Sequence, residues 1–275
     1  MPRRKSSIAI TARWWFAIAA AFLVALPAVA LPPSVFVVHC EPTRANPAMW
    51  AALTDLVALA EGYGIPLSID FTAQWARMIL EDEAKMRAVE TWLAAGHEIG
   101  CHHHGYWGTR ERNSTWDGYT NTPLSEVDPQ DRDRYLGTMD DYMEILNALP
   151  GERTSGCLGG SATADAVDHP CQIVYSTQGQ ALEDAVSQPV SQVVGNCTIQ
   201  QIGHALLVSQ QRGALQNLYL ATADENVFGV VGHVYNFADF PGAFEAWFAF
   251  LNSLDPSGEA RATVSELIAG WTPSP

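Results

Sequence analysis

Four of the chain's eight histidines fall in one stretch, Gly96-His97-Glu98-Ile99-Gly100-Cys101-His102-His103-His104-Gly105-Tyr106-Trp107. Neutral imidazole is the commonest protein ligand for a metal, so three in succession point to metal chemistry. A core gives no reason for such a run, because every buried ring nitrogen needs a partner. Its internal position and short length argue against an expression tag. The plain alternative is a solvated polar loop. The zinc-peptidase pattern, His-Glu-x-x-His on one helix face, is excluded. After His97-Glu98 the fifth residue is Cys101, and His102 falls one place too late to share a face at about 100° per residue.

The elements that must carry these residues alternate between strand and helix patterns. Ser34 to His39 is a short apolar, β-branched run suited to a strand buried on both faces, and it leads into His39-Cys40-Glu41-Pro42. Asn46 to Tyr63 has apolar residues at helical spacing, with Gly64 as a stop. Ile65 to Phe71 reads as a second strand with Asp70 near its end, and Gln74 to Ala95 as one long helix. A third strand begins at His97 and runs into the histidines. Trp107 to Gln130 is a polar loop carrying Trp107, Trp116 and Tyr119; Arg134 to Leu149 is helical. Between Glu152 and Gln211 only Gln172–Tyr175 and Ala205–Val208 suggest strands. Val227 to His233 is a further strand ending in histidine. Pro241 to Leu254 is a helix, and Ser265 caps a last one after an extended Arg261–Val264. Such alternation predicts a single α/β domain with a mostly parallel sheet or barrel and its chemistry at the carboxyl ends of the strands. His39, Glu41, Asp70, His102, His104 and His233 all fall at such ends. His169 and His204 carry no usable spacing signal.

Composition narrows the function classes. A chain of 275 residues, 48% hydrophobic, can bury one large core. Residues 1–30 combine a basic lead (Arg3, Arg4, Lys5, Arg13), an apolar run and Ala28-Val29-Ala30. They read as a secretory signal peptide cut after Ala30, or as a retained membrane anchor, leaving a domain at 31–275. Secretion or a periplasmic location follows from the first option. Loss of that leader removes four basic residues and leaves 11 Lys+Arg against 30 Asp+Glu, a net charge of −19. So acidic a surface repels phosphate backbones, which argues against nucleic acid, and repels anionic lipid; membrane attachment is expected only through an uncut leader. Five cysteines suit an oxidising compartment. Cys157 and Cys171 are the expected disulfide, Cys40 and Cys101 could pair or stay reduced, and Cys197 is left over.

The order of these motifs resembles the polysaccharide deacetylase superfamily, the NodB-homology domains of carbohydrate esterase family four. Ala95-Gly96-His97-Glu98-Ile99-Gly100-Cys101-His102 is similar to that family's second motif, Gly-His-Glu-Ile-Gly-Asn-His. Val38-His39-Cys40-Glu41-Pro42 stands where the acidic first motif belongs, and Glu152-Arg153-Thr154-Ser155-Gly156 where the arginine motif does. Val231-Gly232-His233 matches the late strand-end histidine. The resemblance implies a distorted (β/α) barrel, a divalent metal (commonly Zn2+) and hydrolysis of acyl groups on a glycan or acetylated sugar. The family's paired aspartates are replaced here by His39, Cys40 and Glu41, and its second metal histidine by Tyr106. His104 lies on the same side of an extended chain as His102 and is the expected substitute, with His103 in reserve.

Two imidazoles and a carboxylate (His102, His104 and Glu41) then make a three-ligand site with an open position, as a hydrolytic zinc requires. His39 or Asp70 is the candidate base for activated water, and His233 the candidate acid for the leaving group. Arg153 is a candidate for orienting the base or binding substrate, and Trp107 and Trp116 for stacking on a sugar face. Two other readings compete: a non-catalytic relative that binds glycan or metal, and a periplasmic metal-binding protein with no glycan role.

Overall fold

Seven consecutive buried residues, Ser34–Cys40, form strand β1, whose side chains alternate between two apolar environments. The structure, a computed structural model, describes residues 30–107, 115–159 and 168–271. The expected leader lies outside them but for its last residue, and so does the run at 160–167 between Cys157 and Cys171. In chain order β1 is followed by α1 (Pro47–Gly62), β2 (Leu67–Phe71), α2 (Ala73–Leu80), α3 (Glu83–Ala94) and β3 (Glu98–His104). Next come α4 (Met139–Asn147), β4 (Ser155–Gly159), β5 (Tyr175–Gln178), β6 (Val186–Ser187), β7 (Val190–Val194), β8 (Cys197–Gly203) and β9 (Ala205–Leu206). The chain ends with α5 (Arg212–Ala221), β10 (Val227–His233), α6 (Val234–Asp239), α7 (Pro241–Leu254) and α8 (Val264–Gly270). Among the described residues no helix is long and apolar enough to cross a membrane.

The sheet order is β6-β10-β1-β2-β3-β4-β5-β8-β7, parallel throughout except at β6 and β7. It curls back on itself. β8 pairs with β5 as far as Gly203, the chain passes through His204, and β9 is then taken up by β10. This closure needs a glycine: a Cβ on Gly229 would collide with the Gly203 carbonyl oxygen. The result is the distorted (β/α) barrel expected from the sequence.

Period-two alternation sorts each strand into an outer and an inner column. Phe36, Val38, Ile69, Phe71, Ile99, Phe228 and Val230 join the large core under the helices. Val35, Val37, Val227 and Val231 turn inward and pack with Val264, Leu267 and Ile268 of α8. Burying each of these side chains contributes roughly 1.5–3 kcal/mol. α8 plugs the lower mouth: the Val264 N–H donates to Ser68 Oγ (2.9 Å) and the Ser265 N–H to Glu98 Oε2 (3.2 Å). With the lower end filled, the inner column leaves its last residues facing the upper mouth. In register these are His39 opposite both His233 and Asp70, and further round His102 and His104 opposite Cys157 and Gly159.

Several boundaries differ from those read in the sequence. The helix expected over Gln74–Ala95 is two, because Asp82 turns its carboxylate back onto the Ala84 and Lys85 N–H groups and starts a new helix. The Arg134–Leu149 helix begins only at Met139, where Thr138 and Asp141 form a capping box. Thr263, not Ser265, caps α8, again with a reciprocal acid at Glu266. The disulfide joins Cys171 to Cys197 across 26 residues. Cys157 cannot take that place, since β4 carries it beside His102 at the barrel mouth. Cys40 and Cys101 are both buried and stay reduced. The strand expected at Gln172–Tyr175 lies three residues later, and β4 and the β7–β8 hairpin, rich in Gly, Ser and Gln, gave no apolar run to read.

Candidate metal and active site

Glu41 is the hub of the upper mouth. It follows β1 directly, and Pro42 turns the chain there into a single helical turn. The Trp75 indole N–H donates to the Glu41 carbonyl oxygen at 2.9 Å, fixing the backbone. Glu41 Oε1 lies 3.4 Å from His102 Nε2 and 3.2 Å from His233 Nε2, and Oε2 lies 3.1 Å from His104 Nε2. Burial opposes a charge on this carboxyl, but its contacts with His102, His104 and His233 more than offset that and hold the group well below the usual carboxylate range.

His102 and His104 stand side by side on β3, their Nε2 atoms 2.8 Å apart. Burial first, then His104, pushes His102 down to about 4, so its ring is neutral at pH 7. His102 Nδ1 bonds the Cys157 carbonyl oxygen at 3.2 Å, which makes it the protonated nitrogen and leaves an Nε2 lone pair aimed at Glu41. His233 repeats this arrangement: Nδ1 bonds Asn236 Oδ1 at 3.0 Å, and Nε2 faces Glu41. A tetrahedral zinc with bonds near 2.0–2.1 Å needs donor–donor separations of about 3.3 Å. The observed spacings of 2.8 to 3.4 Å match that requirement, and two of the rings are held in the ligating tautomer. The residues present therefore fit a divalent cation.

His39 lies behind these groups. Its ring stacks on His102 with centroids 4.0 Å apart and meets His204 and His233 edge-on at 5.4 and 5.3 Å. Burial, then the neighbouring His102 and His233, pushes it well below the ordinary histidine range. His39 Nε2 points toward Asp70 Oδ2 at 4.0 Å. Asp70 is buried beneath it, its carboxyl raised by burial and by Glu98. Asp70 does not line the cavity, so any part it plays in proton transfer passes through His39.

The cavity above this cluster has a volume of about 560 Å³ and is lined by His39, Glu41, His102, His104, His204 and His233, with Trp107 on its rim. Two expected substrate contacts are placed elsewhere. Trp116 is buried, packs at a tilt against Tyr106 and donates its indole N–H to the Tyr119 carbonyl at 2.9 Å, because the loop folds it into a small cluster of its own. Arg153 is also buried, pushed down to about 10 by burial, and spends its guanidinium on backbone carbonyls of Ile99, Leu146, Leu149, Glu152 and Pro150. It ties the end of α4 to β3 and touches neither Asp70 nor His39. The reserve ligand, His103, points to the outer side of β3, where Asp117 Oδ2 lies 2.8 Å from its Nδ1. Tyr106 is removed from the site too, its hydroxyl accepting the Asp128 N–H at 2.8 Å.

One cavity residue had no sequence signal. His204 occupies the single position between β8 and β9 where the sheet closes, and burial, then His102 and His233, pushes it down to about 3. Only knowledge of the closure could have found it.

No protein-family model matches the sequence, and no curated protein matches it. Solved structures do match in fold. A Mycobacterium smegmatis protein classed as a candidate polysaccharide deacetylase is similar over 92% of this chain and 96% of its own, with a TM-score of 0.54 and 13% identity. PuuE allantoinase is similar over 83% and 86% (TM-score 0.50, 16% identity). A 4-alpha-glucanotransferase from Thermococcus litoralis is similar over 88% of this chain but 38% of its own, at 12% identity and a TM-score of 0.50. The chain thus has a polysaccharide-deacetylase-like fold.

Proposed function

We propose that the chain is a metal-dependent hydrolase that removes N- or O-acetyl groups from a carbohydrate. The observation that carries this reading is the convergence of Glu41, His102 and His104 at the mouth of a deacetylase-like barrel, with His39 and His233 alongside. Glu41, His102 and His104 would hold the cation, with Zn2+ the best match to an N,N,O set of this spacing. When bound, such an ion lowers the pKa of water and stabilises an oxyanion.

The protein's own groups handle the protons. His39, kept neutral by burial and backed by Asp70, takes the proton that the attacking water loses. His233, its Nδ1–H held by Asn236, acts from its doubly protonated form and gives the Nε2 proton to the departing amine or alcohol. Water is thereby added across the acyl bond, releasing acetate and the free sugar group. Trp107 at the rim offers a face for a sugar ring. The leader read at residues 1–30 makes export part of the same proposal.

The competing reading is a glycan- or metal-binding relative without catalysis, favoured by the histidine and cysteine that replace the expected aspartate pair. Release of acetate from acetylated oligosaccharides by the zinc-loaded chain separates the two. Turnover that stops on chelation, returns with Zn2+ and is absent in His102→Ala supports the enzyme. Tight zinc binding with no turnover across N- and O-acetylated sugars would sink it.

A further inference from the structure

Five imidazoles, two carboxyls and a thiol crowd the barrel mouth, more donors than one tetrahedral ion can use. Once Glu41, His102 and His104 are assigned, a second set remains. His39, His204 and Cys157 each bring one donor atom to within 4.8 Å of the other two. Cys157 reaches this place because it sits opposite His102 on β4 and shares its inward face. His204 reaches it because the closing strand delivers it there. Two nitrogens in this set are buried with no hydrogen-bond partner, His204 Nδ1 and His39 Nε2, the second with Asp70 Oδ2 no nearer than 4.0 Å; their residues are 1% and 4% exposed. A buried nitrogen without a partner calls for an ion or water to satisfy it. The other side of the His204 ring bonds the Gly179 backbone, so the orphaned Nδ1 is the one free to ligate.

We propose that His39, His204 and Cys157 form a second cation site, selective for a borderline-soft divalent metal such as Zn2+ over Mg2+ or Ca2+. Two imidazoles and a thiolate are the donor set such ions prefer, whereas hard cations require oxygen. Binding displaces the Cys157 thiol proton to solvent, leaving S− on the ion. The site also has a consequence for turnover that rests on the deacetylase reading. His39 cannot hold an ion and accept a proton together, so filling the second site removes the base. Zinc then activates as the first ion and inhibits as the second.

Titration of the full chain with Co2+ tests this, because a cobalt–thiolate bond has a charge-transfer absorption in the near ultraviolet that nitrogen and oxygen ligands lack. Two equivalents are expected, with the absorption tracking one of them. Cys157→Ser is expected to abolish the absorption and one equivalent, a larger loss than the roughly 10–100-fold carried by outer partners. His204→Gln is expected to weaken the same equivalent, which covers the case of a Cys157 variant that does not fold. His102→Ala is expected to keep the absorption while losing the other equivalent. A single equivalent in the unaltered chain, or an absorption that survives Cys157→Ser, overturns the second site. Two equivalents with the thiolate absorption, but no acetate release even with one equivalent of ion bound, leaves the site standing and removes the deacetylase reading instead.

Discussion

His102 Nε2 and His104 Nε2 lie 2.8 Å apart on one face of an extended strand, with Glu41 in contact with both. Two neutral rings can share at most one hydrogen bond there, whereas a cation uses both lone pairs. His104→Ala is therefore expected to weaken Zn2+ binding by more than about 100-fold, beyond the effect of an outer partner. Tyr106, at the spacing where a second histidine is expected, points elsewhere; Tyr106→Phe should cost about 1 kcal/mol of stability and leave metal affinity unchanged. Competition against a zinc chelator measures both variants. Loss of affinity in the tyrosine variant with retention in the histidine variant would reverse the assignment.

Asn236 touches no substrate space, yet it decides which His233 nitrogen faces the cavity. Replacing it with Leu removes the acceptor at Nδ1 and frees the ring to change tautomer or turn. Acetate release is expected to fall by roughly 10–100-fold, in kcat more than in KM, with zinc stoichiometry unchanged. Steady-state kinetics beside metal analysis would show it. An unchanged kcat would remove His233 from proton transfer.

These positions also mark what could be read from the chain alone. His39, His102, His104 and His233 were legible because a parallel strand delivers its last inward residue to one mouth, and each follows or ends an apolar run. Glu41 was legible as the first carboxylate after β1. Arg153 was misread because a motif position carries no information about which way a long side chain turns, and here the backbone carbonyls just past and at the end of α4 claimed it. Trp116 was misread because aromatic residues in a polar loop pack on one another as readily as on a sugar. The Ala205–Val208 run was legible and β9 begins in it, but His204 and the β7–β8 hairpin before it were invisible because that hairpin mixes Val and Ile with Ser, Gln and Gly and is set by closure of the sheet, a tertiary effect.

Arg153 accordingly predicts a stability effect. Its guanidinium satisfies backbone carbonyls of Leu146, Leu149 and Pro150 at the end of α4 and bridges to Ile99 on β3 at 2.7 Å. Arg153→Met keeps the buried stem but takes the guanidinium donors from the Leu149, Pro150 and Ile99 carbonyls, each buried acceptor left unpaired costing about 1–3 kcal/mol, while Leu146 keeps its bond from the Leu149 N–H. The variant should unfold in urea with a stability lower by at least about 3 kcal/mol. KM for substrate, measured on the folded fraction, should not move. A raised KM with unchanged stability would restore the substrate-binding role.

His103 supplies a pH signature that is independent of turnover. Burial alone would lower its pKa, but Asp117 at 2.8 Å and Asp168 at 3.9 Å outweigh that and raise it to about 9. The folded value lies above the ordinary 6.5, so the protonated ring binds its proton more tightly in the native state. The stabilisation is thus complete below about pH 6.5 and is lost as pH rises through about 9; its full size is on the order of 3 kcal/mol. Asp117 also accepts the His104 and Tyr119 N–H groups, and Asp168 accepts the Thr120 hydroxyl and the Asn121 N–H, so the loop flanking the cavity depends on this ion cluster. Urea unfolding followed from pH 6 to pH 10 should show stability falling across that window. In His103→Gln the fall should largely disappear, with the low-pH stability already reduced. A slope unaffected by His103→Gln would mean that the ring is neutral in the native protein and that the two aspartates are held by other donors.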